Sequence, residues 1–551
     1  MYNSLKLKIR KEIQKAKIKW TRRLEEKELW KAVSSHLGRN SNSPLMSLLG
    51  KFSSVAEGIA AISNHLKSVF IASHGFTYDP GSLPQDSWSP EISSSVVYKM
   101  LSQLSPQKSS PDIPIVLYKN AASTLAEPLS KLIELSVEQG TVPSLWKRAK
   151  VTPIPKKSNP SIDDIRPISL LSPPAKILEK IVLKSIKYKL LENYDVNQFG
   201  FRPGSSTLSA LTALHNHLTY YLDDSSTFGA LLISYDYSKA FDRLRCDIII
   251  ERLVSCRFPH EIVKWLTDYL NNRTQVVKIG ELEGGIVNIS SGVPQGSILG
   301  PFLYSFATAT YHPKTSLCKV VRYADDTSLI LPLFKCSNND HVSIEHDNLT
   351  NWSVENDLVM NIQKCKVLIL QKPGIQHDLD FLPNLDIVDE LKILGVIFNK
   401  TLTWKSHIGY SVKKCSRLLY AFRILRSILS SSSMKRLYIS LVLPVIEYCA
   451  PIFVALSSTD SRRLTRLQSR FHRIICGSNC KNDCFDDLNE RRLVLASDFL
   501  DKIRNPAHIL HHYLPPLSKT GRFLLPSRRT EQRSRHVLLY ACERANATIK
   551  R

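Results

Sequence analysis

The sequence predicts an α+β fold, in which a β-sheet core lies between helical segments that precede and follow it in the chain. Residues 228–237 form a nearly continuous apolar run, as expected of a central strand that is buried on both faces. Residues 318–331 contain two apolar, β-branched-rich runs around a short polar turn, which predicts a β-hairpin. Residues 51–140 and the residues after 405 instead show helical patterns separated by loops rich in Pro, Ser and Gly.

The 551-residue chain is globular in composition and strongly basic. Hydrophobic residues make up 43% of it and charged residues 22%, which argues against extensive disorder. Lys and Arg number 74 against 49 Asp and Glu, and the formal net charge is +25. A merely basic soluble protein is the alternative interpretation. An excess of this size favours a polyanionic partner, however, and nucleic acid is the obvious one.

The cysteines and the hydropathy pattern point to an intracellular protein. Eleven cysteines, an odd number, indicate reduced thiols rather than a disulfide framework. We expect no membrane span, because the most apolar later stretch, residues 439–456, is interrupted by two prolines and a glutamate. Cys476, Cys480 and Cys484 do not have the spacing of a common zinc module, so structural cysteines are favoured and zinc binding stays open.

Residues 5–33 predict a basic amphipathic helix. Its apolar stripe runs from Ile9 to Leu24 at spacings of three and four residues, among many cations. Such a helix can lie on nucleic acid, on a membrane surface or on the body of the protein. Trp20 and Trp30 favour docking onto the protein with the cationic face outward.

Three carboxylates stand where strands are predicted to end. Asp325 and Asp326 occupy the tip of the predicted hairpin, where a solvated turn is the ordinary interpretation. Asp236 ends the predicted central strand, and a carboxylate at the end of a buried strand is costly unless it binds something. Adjacent carboxylates repel each other unless cations share their charge, so the three residues are a candidate metal site.

Two loop regions carry groups suited to phosphate and sugar. Lys156 and Arg166 come from neighbouring segments, 149–157 and 164–171, which can converge on phosphate, although alone they are ordinary surface cations. Residues 291–301 form a turn rich in Gly and Pro that lets backbone approach a ligand near Gln295. It is not a Walker loop, because no Gly-Lys-Ser/Thr ends it.

The remaining predicted elements complete the chain. A turn presenting Lys364 leads into a strand that ends at residue 370. Residues 391–398, a turn, and residues 401–404 predict one more hairpin. Helices are predicted at 411–427, 434–442 and 460–475, and the arginines of the last suit contacts with backbone phosphates.

Seven stretches, taken in order, resemble motifs of the reverse transcriptases, and within that family those of non-LTR (LINE-type) retrotransposons, with a jockey-like character. They begin at Arg166 (RPISLL), Gln198 (QFGFRPGSST), Tyr235 (YDYSKAFDRL), Gly292 (GVPQGSILGP), Tyr323 (YADD), Asn361 (the stretch with Lys364) and Leu391 (LKILGVIF). The motif at Tyr323 is a weak signal by itself, whereas seven motifs in one order are a strong one.

The resemblance implies a right-hand polymerase with fingers, a palm carrying an antiparallel sheet, and a thumb. On this basis we expect a basic helical N-terminal extension over residues 1–140. Fingers and palm would follow over 141–405, and a basic helical thumb and C-terminal region over 406–551. The implied activity is RNA-directed DNA synthesis on a template and primer with two Mg²⁺ ions, or Mn²⁺ in their place.

The resemblance also implies a role for each site residue. Asp236 and Asp325 would be the principal metal ligands, Asp326 the auxiliary one, and the carbonyl of Tyr237 would contribute. Phe241 stands where a bulky side chain excludes a ribose 2′-hydroxyl, although a core Phe is the alternative. Contacts with the incoming nucleotide or with pyrophosphate would come from Lys156, Arg166, Gln295 and Lys364.

The implied partners are an RNA template, a DNA primer and dNTPs, together with element RNA and chromosomal target DNA. We therefore expect function in the nucleus, and a cytoplasmic location when the protein is bound to element RNA. The first 140 residues carry no set of Asp, His, Glu and Asn motifs typical of an endonuclease. We expect that function to be absent from this chain.

Two other functions remain open. An RNA-dependent RNA polymerase, or another reverse transcriptase lineage such as a group II intron maturase, shares the arrangement of aspartates. Phe241 and the LINE-like spacing argue against it. A catalytically dead remnant that only binds nucleic acid is the second, although all three carboxylates are present.

Overall fold

A computed structural model describes residues 44–71, 78–106, 110–335, 339–372, 382, 384–477 and 485–548. The basic helix predicted over residues 5–33 lies outside the described residues, as do Cys480 and Cys484. Within the described ranges, no helix combines the length and apolar character needed to cross a membrane.

The central sheet has five strands in the order β6-β7-β3-β8-β9. The strands β6, β7 and β3 run antiparallel, β8 is antiparallel to β3, and the short β9 runs parallel to β8. Nearly every residue of β3 is buried, as its apolar sequence predicts for the middle of a covered sheet. The bounds are β3 Thr227–Tyr235, β6 Lys319–Tyr323, β7 Asp326–Phe334, β8 Lys366–Gln371 and β9 Asp386–Ile387.

A second sheet, the side sheet, has the strand order β2-β1-β4-β5. The sequence prediction missed β4 and β5, which form an antiparallel hairpin with its turn at Gly280. The bounds are β1 Arg148–Pro155, β2 Ile165–Leu170, β4 Arg273–Ile279 and β5 Leu282–Ile289. A two-stranded hairpin, β10 Glu390–Ile393 with β11 Val396–Asn399, follows the central sheet in the chain.

Helices flank the sheets and form the C-terminal part of the chain. Those before residue 310 are α1 Pro44–Leu49, α2 Val55–Val69, α3 Ser94–Ser102, α4 Ile115–Asn120, α5 Ala122–Gln139, α6 Ser144–Lys147, α7 Pro173–Glu192, α8 Thr207–Asp223, α9 Ala240–Arg243, α10 Cys246–Ser255, α11 His260–Leu270 and α12 Gly300–Ala307. Those after it are α13 His341–Glu355, α14 Lys405–Leu425, α15 Ser431–Leu437, α16 Leu443–Ile446, α17 Ser458–Cys476, α18 Leu488–Ile503, α19 Glu531–Ser534 and α20 Val537–Thr548.

Two large hydrophobic clusters make up most of the core. One lies against one face of the central sheet and includes residues of α3, α5, α7 and α10 to α13. The other joins α8 and the opposite face of that sheet to the C-terminal helices α14, α17 and α18. The central sheet is therefore packed between these two clusters.

The hairpin predicted from residues 391–398 and 401–404 is wrong in its second strand. The turn lies inside the first segment, at Leu394 and Gly395, so β10 pairs with β11. Residues 401–404 belong to a turn closed by hydrogen bonds between Asn399 and Thr403, and α14 begins directly after it. Leu394 (φ +45°) and Gly395 both have positive φ, as the two central residues of a tight hairpin turn do. A leucine at this position did not indicate a turn in the sequence.

Candidate active site

The three candidate carboxylates meet at one end of the central sheet. Asp325 and Asp326 occupy the turn between β6 and β7, where Tyr323 pairs with Asp326. Tyr235, the last residue of β3, pairs with Thr327. Asp236 follows Tyr235, and continuing this antiparallel register by one residue sets Asp236 beside Asp326 on the same face of the sheet.

Burial and neighbouring negative charges act on Asp325 and Asp326. Burial raises the pKa of the Asp325 carboxyl, and the charge of Asp236 raises it further. Burial raises the pKa of Asp326 to about 6, with further contributions from Asp325 and Asp236. Asp326 is exposed at the tip of the hairpin, yet protein atoms surround its carboxyl on most sides. Such a cluster is stabilised by bound cations or by protons.

The donor set fits divalent cations, although the side chains are not gathered into a finished metal site. In the described part of the chain, no three His, Cys, Asp or Glu side chains are arranged to hold an ion. Asp236 instead forms an ion pair, with its Oδ2 3.0 Å from the Lys364 ammonium. Carboxylate oxygens are the ligands that Mg²⁺ prefers, and a bound cation would favour the ionised forms of Asp325 and Asp326, whose pKa values are raised in its absence.

The turn before β8 fixes Lys364 beside Asp236. The backbone carbonyl of Asp236 accepts a hydrogen bond from the Asn361 N–H at 2.8 Å, and the Lys364 N–H donates to the Asn361 carbonyl at 2.9 Å. Tyr237 is buried, and its hydroxyl lies 3.0 Å from Ser353 Oγ. The Tyr237 side chain therefore points into the core, and its backbone forms an antiparallel bridge with Met360.

Phe241 lies on α9, five residues past Asp236, and is half-buried in an aromatic cluster. Its ring stacks on Tyr304 with centroids 4.3 Å apart and contacts the edge of Phe201 at 6.1 Å. Both interpretations of Phe241 thus have support, because one side of the ring packs against the core while part of it stays accessible.

Gln295 is held by a residue whose role the sequence did not indicate. The Gln295 side-chain Nε2 donates a hydrogen bond to Asp242 Oδ2 at 2.7 Å. The Gln295 backbone carbonyl accepts one from the Ser169 N–H at 2.7 Å. At Gly292, with φ +83°, a Cβ would lie 2.6 Å from the Asp242 carbonyl oxygen, so the loop packs on α9 without room for a side chain. Burial raises the pKa of Asp242 to about 6.

Lys156 and Arg166 lie on the paired strands β1 and β2 and the loop between them, and both are exposed. Both cations lower the pKa of Asp325, against the larger opposing effect of burial, and Lys156 also lowers that of Asp242. They are therefore near enough to act electrostatically on the carboxylates. Lys156, Arg166 and Lys364 thus lie near the carboxylates. Gln295 and Phe241 meet at α9, which carries Phe241 and the Asp242 that binds Gln295.

Comparison with known protein families gives a match over residues 154–398 to the family described as reverse transcriptase (RNA-dependent DNA polymerase). The match contains every predicted site residue. Residues 154–398 are a reverse transcriptase domain.

Relatives of the reverse transcriptase domain include proteins of insect mobile elements. The chain is 29% identical over 398 residues to a probable RNA-directed DNA polymerase from transposon BS of Drosophila melanogaster, covering 67% of this chain and 43% of that protein. It is 27% identical over 351 residues to the RNA-directed DNA polymerase from mobile element jockey of Drosophila funebris, covering 59% and 37%. The chain thus spans about two fifths of the length of these relatives.

Among solved structures, the chain resembles apo telomerase from Candida tropicalis. The TM-score is 0.36 with 13% identity, covering 71% of this chain and 73% of that one. The right-hand polymerase predicted from the sequence would place the palm at the central sheet, part of the fingers at the side sheet and the thumb at the helices from α14 onward.

Glu179 is a further residue of the reverse transcriptase domain that the sequence did not single out. It is fully buried on α7, and its carboxylate accepts hydrogen bonds from the backbone N–H groups of Ile298 (2.5 Å) and Leu299 (3.2 Å). These contacts fix the start of α12 and hence the loop that carries Gln295. The sequence pattern that could have identified Glu179 is a single acidic residue among the apolar positions of a predicted helix.

Proposed function

We propose that this protein is an RNA-directed DNA polymerase that copies retrotransposon RNA into DNA. The observation that carries the proposal is the meeting of Asp236 with Asp325 and Asp326 at the end of the palm sheet, inside a reverse transcriptase domain. Its substrates would be dNTPs, an RNA template and a DNA primer. Element RNA and chromosomal DNA would be its partners, so synthesis would take place in the nucleus and RNA binding would begin in the cytoplasm.

Asp236, Asp325 and Asp326 would hold two divalent cations, Mg²⁺ or in its place Mn²⁺. Bound there, the cations would lower the pKa of the primer 3′-hydroxyl and neutralise the charge that develops on the leaving pyrophosphate. The chemistry of the donors and the raised pKa values of Asp325 and Asp326 support this assignment.

The residues around the carboxylates would bind and orient the nucleotide. Lys156 and Arg166 would contact its triphosphate, as their exposure and their effect on Asp325 support. Phe241 would exclude a ribose 2′-hydroxyl, with Tyr304 behind its ring to resist displacement. Gln295 would contact the sugar, and the backbone carbonyl of Tyr237 would face the ions.

Lys364 would supply a proton to the pyrophosphate. Its ammonium lies 3.0 Å from Asp236 and its side chain is 60% exposed, so it can leave this ion pair when cations and substrate bind. A protonated amine at this position can donate to the leaving oxygen as the bond between the α-phosphorus and that oxygen breaks.

The helix α17 offers a surface for the nucleic acid backbone. Its arginine stripe, which we define as Arg462, Arg466, Arg470 and Arg473, lies exposed along one face and spans about 16 Å. No member of the stripe forms an ion pair with a residue in the described ranges, so these cations remain available to phosphates.

The test is extension of a DNA primer on an RNA template with Mg²⁺, comparing dNTPs with rNTPs. We expect incorporation of dNTPs by the wild type and none by Asp325→Ala.

Phe241→Ala should raise the use of rNTPs by roughly tenfold or more while retaining dNTP incorporation, because the steric block is removed.

Each alternative gives a different result in the same assay. A preference of the wild type for rNTPs would identify an RNA polymerase. Binding of the template and primer without any extension would identify a nucleic-acid-binding remnant. Synthesis by Asp325→Ala at the wild-type rate would show that the catalytic site lies elsewhere.

A further inference from the structure

The side chain of Gln198 is bound to the turn that carries Asp325 and Asp326. Its Oε1 accepts a hydrogen bond from the backbone N–H of Ala324 at 3.0 Å. Its Nε2 donates to the backbone carbonyl of the same residue at 3.1 Å. Gln198 is completely buried, so these bonds form away from competing water.

Ala324, the residue whose backbone Gln198 binds, has an unfavourable backbone conformation. Ala324 has φ +58°, in the left-handed region that side-chain-bearing residues rarely adopt. This conformation turns the chain directly before Asp325. Because the following carboxylates also repel one another, the turn is stressed both by its own backbone and by its charges.

The loop that carries Gln198 is itself fixed to β6. The Phe199 N–H donates to the Arg322 carbonyl at 2.8 Å, and the Arg322 N–H donates to the Asn197 carbonyl at 2.9 Å. The Gly200 N–H donates to Gln198 Oε1 at 2.8 Å, which holds the amide in a single orientation. The loop therefore extends the edge of the palm sheet, and the amide cannot rotate away.

Gly200 shows how closely the loop approaches the turn. A Cβ on this residue would lie 2.4 Å from the backbone nitrogen of Ala324, a distance that side chains do not tolerate. The next residue, Phe201, contacts the ring of Phe241. The loop thus contacts both the turn that carries Asp325 and Asp326 and the ring of Phe241, the residue proposed to exclude a ribose 2′-hydroxyl.

We propose that Gln198 is a positioning residue for polymerisation, whose amide holds Ala324 so that Asp325 and Asp326 stay beside Asp236 against their mutual repulsion. The inference presupposes the proposed polymerase function. In this role Gln198 acts only through the backbone of the turn, to which both ends of its amide are bound.

A purely structural role predicts something different. If Gln198 only satisfies buried backbone groups, its loss lowers stability without changing how the carboxylates bind cations. If it positions the turn, its loss weakens metal binding and slows the chemical step. The KM for dNTPs should then change little, because Lys156, Arg166 and Gln295 come from other elements.

The decisive variant is Gln198→Met, which has a similar length and no hydrogen-bonding amide. In the full chain, we expect the kcat of RNA-templated primer extension to fall by roughly 10- to 100-fold, with the KM for dNTPs within about twofold of wild type. The Mg²⁺ concentration at the midpoint of thermal stabilisation by Mg²⁺ should rise several-fold. This second measurement needs no catalysis.

Gln85→Met is the matched control. Gln85 also donates two side-chain hydrogen bonds to backbone carbonyls, at 2.9 and 3.1 Å, but it is exposed and distant in sequence from the reverse transcriptase motifs. Its kcat and Mg²⁺ midpoint should match those of the wild type.

Gln198→Glu gives a readout that a structural role would not produce. A protonated Glu can both accept from Ala324 and donate to it, whereas an ionised Glu can only accept and adds charge near the acids. Activity relative to wild type should therefore recover as the pH is lowered.

Two results would overturn the inference. One is a Mg²⁺ midpoint in Gln198→Met equal to that of wild type, and the other is an activity of Gln198→Glu, relative to wild type, that does not change with pH. If the wild type does not extend the primer at all, the proposed function fails instead. The Mg²⁺ midpoints of the two methionine variants would still decide the role of Gln198.

Discussion

Asp242 couples the orientation of Gln295 to the charge of a buried carboxyl. The Gln295 amide can present its oxygen to a sugar hydroxyl because its nitrogen is already engaged by Asp242 at 2.7 Å. Burial raises the pKa of Asp242 to about 6, although Gln295, Lys239 and Lys156 favour its ionised form. The folded protein therefore binds this proton more tightly than the unfolded chain.

This difference predicts how Asp242→Asn changes stability with pH. The pKa of Asp242 is higher in the folded state than the unfolded value near 3.8, so stability is fully present below about pH 4. It is lost as the pH rises through about 6. Asn removes the ionisation and keeps an oxygen for Gln295. We expect the Tm of Asp242→Asn to exceed that of wild type by about 1–4 °C at pH 7.5 and to equal it near pH 4.

Thermal unfolding followed between pH 4 and pH 8 measures this effect, with Asp242→Ala as the comparison that also removes the hydrogen bond. A Tm difference between Asp242→Asn and wild type that stays constant across this range would contradict the assigned pKa.

The sequence located Asp236, Asp325 and Asp326 because their chemistry is local. Each follows or precedes an apolar strand, and ordered motifs surround them. The sequence marked Gln198 only as the first residue of a motif and indicated no role for its side chain, because its partner, Ala324, lies 126 positions away in the chain. A neutral side chain that binds distant backbone leaves no periodic or charged pattern in the sequence. Glu179 does stand out as an acid, but its contact with Ile298 is not visible in the local sequence.

Elements with a strong pattern were predicted closely, and those with a weak one were missed. The strand β3 is almost entirely apolar, and its predicted bounds, 228–237, lie within two residues of those observed. In β5 most residues are exposed and two are glycines, so no alternation marked it as a strand. Its structure depends on pairing with β4, which the local sequence does not encode.

The arginine stripe of α17 predicts a direct effect on nucleic acid binding. The double variant Arg466→Ala with Arg470→Ala should raise the Kd for an RNA and primer duplex by roughly tenfold or more. It should also lower the slope of log Kd against log salt by about two, because two phosphate contacts are lost. The KM for dNTPs should not change. Binding titrations at several salt concentrations measure both quantities.

Arg504→Ala with Arg535→Ala is the matched control for this experiment. Both arginines are exposed, but each is engaged in an ion pair, Arg504 with Asp501 and Arg535 with Glu531. Equal losses of affinity in the two double variants would indicate a general effect of net charge rather than a binding surface on α17.

The core of the molecule crosses the boundaries that composition suggested. Residues of α3 and α5, from the predicted N-terminal extension, lie in the same hydrophobic cluster as the palm helices. The C-terminal helices α14, α17 and α18 share the second cluster with the opposite face of the central sheet. Composition and loop content show where the sequence pattern of the chain changes. A shared core, however, arises from packing between segments that are distant in the chain. The division at 140 and 405 therefore stays a prediction.

The whole-molecule account rests on Asp236 joining two carboxylates from a distant hairpin. The most direct test is the rate of RNA-templated primer extension by Asp236→Asn, with Asp386→Asn as the control. Asp386 is an exposed acid on β9 of the same sheet that pairs with Lys366 at 2.5 Å. We predict that Asp236→Asn folds normally and loses at least roughly a thousandfold in rate, while Asp386→Asn keeps the wild-type rate. Extension by Asp236→Asn within a few-fold of the wild-type rate would contradict the account.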